Sequence, residues 1–505
     1  SARNLAANLN VSRSTVDTAY DQLVAEGYLD ARPRQGYFAN HVTHLKQIPT
    51  SAPQKENNKK NTKEAPPVRF DFNPDSIDLE HFPYSIWKSI GKNQLDLPSN
   101  FSAGDAKGDL PLRQAIANYL RGSRGVICRP EQIIIGAGLS NLLQMLCILF
   151  SRETIFAMED PGYLSARQVL STNGYSILDI PLKENTMDVL ALAKTNADIC
   201  YVTPSHQFPL GSVMPVSTRQ KLLHWAEKKE NRYILEDDHD SEFRYKGKPI
   251  PALQSLDKAG KVIYIGTFSK AISPAIRTGY MVLPMALLPR FERLIDNYSC
   301  PVSRIEQAIL TDFIKQGYFE KHLNRMRKIY KGKHDCMMEQ LQKYFPEKIL
   351  EISGDNAGLY VLIRYLGSQP EEEILRRAKT LGMPLKSLKR YYQNLPFHYL
   401  PTFLLGFANL SEETIPDAIR SLSEKVFASP KPYLLSYKSP EKLNSQTSKP
   451  TSFSPGMVGF TPRLQIPLYL FPSTSTKTAY TPYGGSTLCA SGYIFAVGVS
   501  IVRPS

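Results

Sequence analysis

The sequence predicts an α/β fold: a mostly parallel sheet covered by helices, a smaller C-terminal α+β domain, and a helix-turn-helix with a wing in front. Three observations lead there. Through the middle of the chain, apolar runs alternate with helical patterns, the runs being Ile133–Ile135, Ile155–Met158, Ile199–Val202, Tyr233–Leu235, Val262–Ile265 and Tyr280–Leu283. Such alternation builds a parallel sheet buried on both faces. The first 40 residues read instead as helix, tight turn, helix and two short strands. Finally, Lys270 follows a small polar turn beyond the run 262–265, at the strand-end mouth where α/β sheets place ligands.

At the front, Leu5–Leu9 reads as the end of an amphipathic helix and 10–12 as a turn. Ser12 caps a second helix reaching about Gly27, with Val16, Tyr20, Leu23 and Val24 on its apolar face. Residues 28–38 read as two strands around a basic tip. Two helices so joined place the second in the major groove of double-stranded DNA. Ser12, Arg13, Ser14 and Thr15 stand at its start, within reach of base edges and phosphates. Arg3, Arg32 and Arg34 are phosphate-contact candidates. The stretches Val-Ser-Arg-Ser-Thr-Val, Ala-Tyr-Asp-Gln-Leu, Glu-Gly-Tyr-Leu and Gly-Tyr-Phe resemble the winged helix of GntR-family regulators. That family opens with a further helix, so this head (1–40) is expected to be truncated, with residues missing before Ser1.

Residues 41–67 are polar and charged, ending in Pro66-Pro67, and read as a flexible linker. The second domain, 68–427, opens at Phe70. Gly104–Arg113 is glycine-rich and precedes a helix over Gln114–Leu120. A long helical run starts at Ile305. In the smaller domain, strands are expected over Leu359–Ile363 and Leu404–Ala408, and a last helix over Ser411–Phe427. From 428 to 505 Pro, Ser, Thr and Tyr dominate, with no helical period, so a disordered tail is expected. The net charge of +14 says little about DNA, because this tail holds more of the excess than the head does. The six cysteines form no CxxC pair, no metal-ligand spacing is read, and no apolar stretch approaches the ~18 residues of a membrane span. Reduced thiols and a cytoplasmic location are expected.

The site chemistry rests on three residue types brought to strand ends. Lys270 offers an amine for a Schiff base with an aldehyde. Asp237, ending the run from Tyr233, offers a carboxylate for a protonated pyridine nitrogen. Arg277 offers a guanidinium for a phosphate. Those are the requirements of pyridoxal 5'-phosphate. Gly136-Ala-Gly-Leu-Ser140 follows an apolar run and precedes a helix, which makes an anion site of free N–H groups. Thr267 and Ser269 add hydroxyls. With Pro-Gly-Tyr at 161–163 and Thr-Pro-Ser-His-Gln-Phe-Pro-Leu-Gly at 203–211, the chain resembles the fold-type I aminotransferases from about Phe70 to Phe427.

A winged helix linked to such a domain resembles the MocR subfamily of GntR regulators over residues 1–427. The resemblance implies a homodimeric transcription factor binding an operator, with a cofactor domain that senses an amino compound or pyridoxal phosphate. It also implies residue roles. Lys270 is the Schiff-base lysine, Asp237 faces the ring nitrogen, Tyr163 stacks on the ring, and Gly138, Leu139, Ser140, Thr267 and Arg277 hold the phosphate. Arg390 is a candidate for the effector's carboxylate. Two residues depart from the pattern: His239 stands where a Tyr is usual, and Phe208 where aminotransferases place an Asn that bonds the ring oxygen. An imidazole changes charge near neutrality, and an aromatic ring cannot replace the Asn hydrogen bond. Both changes favour sensing over turnover. The alternatives are a working aminotransferase with a vestigial head, or a non-catalytic cofactor-binding scaffold.

Overall fold

The computed structural model describes residues 2–40, 67–245, 250–354 and 356–428. The expected linker, residues 41–66, and the expected tail, residues 429–505, lie outside the described residues.

The head is built as anticipated. Helix α1 (Ala2–Leu9) turns at Asn10, whose φ of 53° lies in the left-handed region. Helix α2 (Arg13–Ala25) is capped by Ser12, whose side chain accepts from the Thr15 N–H at 3.1 Å. Strands β1 (Leu29–Arg32) and β2 (Gly36–Ala39) pair antiparallel, Arg32 opposite Gly36, which puts Arg34 at the wing tip. Its core is small: Ala6 and Val16 are buried, and Tyr20 packs on Tyr37 with ring centroids 4.7 Å apart. Leu9, Val11, Tyr28, Tyr37 and Phe38 remain exposed.

In the second domain helix α3 (Tyr84–Leu95) leads to α4 (Leu110–Arg124), which starts earlier than anticipated because Pro111 fits a first turn that lacks N–H acceptors. The large sheet comprises β3 (Ile133–Gly136), β4 (Ile155–Asp160), β5 (Ser176–Lys183), β6 (Thr186–Met187), β7 (Ile199–Val202), β8 (Tyr233–Asp237), β9 (Val262–Thr267) and β10 (Gly279–Val282). Their spatial order is β3-β10-β9-β8-β7-β4-β5-β6. The run from β9 through β5 is parallel, whereas β10 is antiparallel to both neighbours and β6 to β5. Strand β5 was not anticipated. Asp179, Pro181 and Lys183 interrupt its apolar pattern, which the half-exposed position near the sheet edge tolerates.

Helix α5 (Leu139–Cys147) leaves β3 and buries Leu142, Leu143 and Leu146 against the sheet. A 27-residue helix, Tyr318–Tyr344, leads to the smaller domain. There β11 (Leu350–Ser353), β12 (Tyr360–Tyr365), β13 (Lys386–Ser387) and β14 (Thr402–Gly406) form an antiparallel sheet in the order β11-β12-β14-β13. The last helix is shorter than anticipated, Ile415–Ser421, and continues as a π-helical turn over Leu422–Val426. Burying almost every apolar residue along Ile415–Phe427 favours that wider turn over strict α spacing.

The end of β8 is fastened by a buried ion pair. Arg124, closing α4, donates from Nε to Asp238 Oδ2 at 2.7 Å and from Nη2 to Oδ1 at 3.1 Å. Its remaining donors reach Ser205 Oγ and Ile250 O, both at 2.6 Å, and Tyr264 of β9 donates to Asp238 at 2.5 Å. Burial acts to raise the Asp238 carboxyl, but Arg124 and these hydrogen bonds outweigh it and hold it below its ordinary range. Removing one partner of such a pair strands the other charge in the interior. Asp238→Ala is expected to cost about 3–5 kcal/mol, read from urea unfolding; a loss under about 1 kcal/mol, no more than a surface ion pair gives, would show that the pair does not hold this strand end.

Candidate functional site

The carboxyl ends of β8 and β9, the start of α5 and the start of β12 enclose a cavity of about 310 Å³. The residues brought together there include Lys270, Asp237, His239, Thr267, Ser269, Arg277, Tyr163, Leu139 and Ser140, drawn from distant parts of the sequence. Lys270 Nζ donates to Pro74 O at 2.7 Å. Asp75, at the rim, is held below the ordinary carboxylate range, since the charges of Lys270 and Lys386 outweigh the effect of burial.

Asp237 ends β8 and is buried. Burial raises its carboxyl, against the neighbouring His239 and a hydrogen bond from the Tyr201 hydroxyl. A protonated pyridine nitrogen is the cation that such a carboxylate lacks. Opposite, Gly138 takes a φ of 79° as the N-cap of α5, and a Cβ there would meet Arg277 Nη2 at 3.0 Å. Arg277 itself has a φ of 50° and donates to Ala137 O at 3.2 Å. The guanidinium therefore closes over the glycine at the free N–H groups of a helix start, an arrangement made for a phosphate. Tyr163 meets Phe208 edge-on at 5.2 Å, and burial, then the charge of Asp237, pushes its phenol up to about 12. It stays a neutral ring. Amine, carboxylate, anion cradle and aromatic face thus fit pyridoxal phosphate.

Sequence reasoning missed Pro74, Asp75, Ser165, Asp240, Pro274 and Tyr360 of the lining, and Tyr201 behind Asp237. Tyr201 had a readable signal: a hydroxyl within an otherwise apolar buried strand needs a partner. Arg390 is a correction. It lies in the 3-10 turn Leu388–Tyr391, whose inward residues are Leu388 and Tyr391, so Arg390 is exposed and does not line the cavity. In the head, Ser12 Oγ lies 2.8 Å from both Ser14 Oγ and Thr15 Oγ1, so all three hydroxyls engage in the cap. Arg13 lies 3.5 Å from Asp17, Arg32 stacks over Phe38 at 4.5 Å, and Arg3 and Arg34 are exposed. No helix among the described residues is long and apolar enough to cross a membrane.

Residues 78–421 match the family Aminotransferase class I and II, and residues 1–38 match the bacterial regulatory proteins of the gntR family. The chain is 39% identical over 427 residues to the uncharacterised HTH-type transcriptional regulator YdeL of Bacillus subtilis, covering 84% of this chain and 90% of that protein. It is 34% identical over 442 residues to the probable rhizopine catabolism regulatory protein MocR of Rhizobium meliloti, covering 84% and 88%. Among solved structures, a multiple substrate aminotransferase from Thermococcus profundus superposes with a TM-score of 0.64 at 27% identity, over 72% of this chain and 92% of that one. A Pyrococcus horikoshii kynurenine aminotransferase gives 0.63 at 26% identity, over 71% and 90%.

Beside the cavity, Glu159 at the end of β4 is buried, with Oε1 unpartnered among the described residues, and burial raises it from 4.5 to about 7. The folded state keeps this proton where the unfolded chain has lost it, so stability falls as pH rises from 4.5 through 7. His206 acts oppositely: burial lowers it from 6.5 to about 4, so its share is lost as pH falls through that window. Comparing wild type with Glu159→Gln isolates the carboxyl. Between pH 5 and 8 the wild type should lose on the order of 2 kcal/mol more than the variant in urea unfolding; parallel profiles would place the ionised carboxylate in water.

Proposed function

The chain belongs to the MocR-like gntR-family regulators, a gntR head on a class I and II aminotransferase domain, and from that premise we propose that it is a pyridoxal phosphate-dependent DNA-binding transcriptional regulator whose cavity senses an amino compound or the cofactor itself. The observation carrying this reading is the pairing, in one chain, of a winged helix with a complete cofactor cavity. Lys270 holds the cofactor covalently, Asp237 keeps its ring nitrogen protonated, and Tyr163 faces the ring. Gly138, Leu139, Ser140, Thr267, Ser269 and Arg277 hold the phosphate. When bound, the cofactor supplies an electrophilic carbon for an incoming amine.

Phe208 supports sensing over turnover. It lines the cavity where an aminotransferase would present a hydrogen-bonding Asn, and it packs edge-on against Tyr391 at 5.1 Å. A second reading, an active aminotransferase, is favoured by the full set of Lys270, Asp237, Arg277 and Tyr163. An amino acid and a 2-oxo acid given to the holo-protein separate the two: sustained 2-oxo product supports the enzyme, whereas a spectral change without product supports the sensor.

Borohydride reduction and peptide mapping should place the pyridoxyl group on Lys270, and Lys270→Ala should retain none; a modified lysine elsewhere would overturn the assignment. For the head, we assign base reading to Arg13, since Ser12, Ser14 and Thr15 are engaged in capping, and phosphate contacts to Arg3, Arg32 and Arg34. A homodimer then reads two half-sites spaced by whole turns of about 10–10.5 bp. Arg13→Ala should relax base preference. Arg34→Ala should weaken all sequences alike and lower the salt slope by about 1. Fluorescence anisotropy over a salt series checks both; sequence-independent binding by the wild type would sink the regulator reading.

A further inference from the structure

Three side chains meet at the cavity, His239 and Asp240 in its lining and His206 packed beside them, without satisfying one another. His206, His239 and Asp240 each present a ligand atom, and all three atoms lie within 4.8 Å of one another. His206 is 1% exposed and Asp240 2%. Both ring nitrogens of His206, Nε2 of His239 and Oδ1 of Asp240 have no hydrogen-bond partner among the described residues. Buried polar atoms are nearly always paired, so four unpaired atoms in one cluster require an explanation. We infer that His206, His239 and Asp240 form a binding site for a borderline divalent cation, for which Zn²⁺ is the fitting probe.

Two imidazoles and a carboxylate are a ligand set that zinc and its first-row neighbours accept, and three protein ligands leave a further position open. Two of the three ligands, His239 and Asp240, line the cavity. Two glycines make room for the His206 ring, which packs beside Tyr360 with ring centroids 5.4 Å apart. A Cβ at Gly358 would collide with its ring, and one at Gly211 would come within 3.2 Å of Nε2; both glycines have positive φ, 80° and 70°. Lys270 and Arg277 bring positive charge to the cavity, but Asp75, Asp237 and Asp240 bring three carboxylates to the same lining. An imidazole has two nitrogens, so His239 can ligate through one while the other faces the cofactor. The inference concerns the cavity wall and stands whether the chain is a regulator or an enzyme.

The test is a Zn²⁺ titration of the full chain loaded with pyridoxal phosphate, in competition with a chelating dye. One equivalent per chain is expected, weakened at least tenfold in His239→Tyr and in Asp240→Asn, with both variants matched to wild type by circular dichroism. X-ray absorption on the wild-type zinc protein should show nitrogen and oxygen neighbours without sulfur, a readout that needs no variant. No uptake by the wild type, equal affinity in all three proteins, or sulfur ligation from the cysteines would each overturn the site.

Discussion

The guanidinium of Arg124 is the point on which the cavity depends. From the end of one helix it reaches the end of β8 through Asp238, the segment after β7 through Ser205, and the loop at Ile250. Asp238 is flanked in sequence by Asp237 and His239, and Ser205 by His206. Three functional side chains therefore take their positions from backbone that one buried cation holds. Desolvating both charges removes most of what their attraction returns, so the pair contributes geometry more than net stability. Its planar donors fix directions as well as distances, which a lysine's point charge would not do.

Around that anchor the cavity divides into two kinds of wall. The side bearing Arg277, the start of α5 and Thr267 is polar and suited to a doubly charged anion. The side bearing Phe208, Tyr163 and Tyr360 is aromatic and continuous with a small apolar cluster that includes Leu388, Tyr391 and Leu404. Such a wall packs against a ring or an alkyl chain but offers few hydrogen bonds to redistribute charge on it. With Arg390 exposed, Lys270 and Arg277 are the Lys and Arg side chains in this lining among the described residues.

The sequence was legible wherever function sits at the end of a local pattern. Lys270, Asp237 and Gly138 each follow an apolar run, and Ser12 precedes a helical one, so the strand or helix and its terminal residue are read together. Residues supplied from elsewhere were not legible. Asp75 and Tyr360 enter from segments with no motif of their own, and nothing local to Tyr360 says that β12 borders the cavity. His206 and His239 were both in view, but nothing in their separate stretches places two rings 5.8 Å apart. Arg390 failed for a geometric reason, since a single 3-10 turn gives too short a period to say which residues face inward. The inner strands of the large sheet were read from hydrophobicity, whereas β5 escaped because an edge position relaxes that requirement.

The antiparallel strand β10 has a consequence for how the chain acquires its ligand. It pairs Gly279 with Gly136 on one side and with Thr267 on the other, so the glycine loop after β3 joins the sheet only through it. During synthesis the loop leaves the ribosome long before Arg277 and β10 exist, and until they arrive β3 has no neighbour in the sheet. Non-local pairing of this kind forms late. The phosphate cradle is thus assembled by the closing of the sheet's far edge, so its completion reports a closed large sheet.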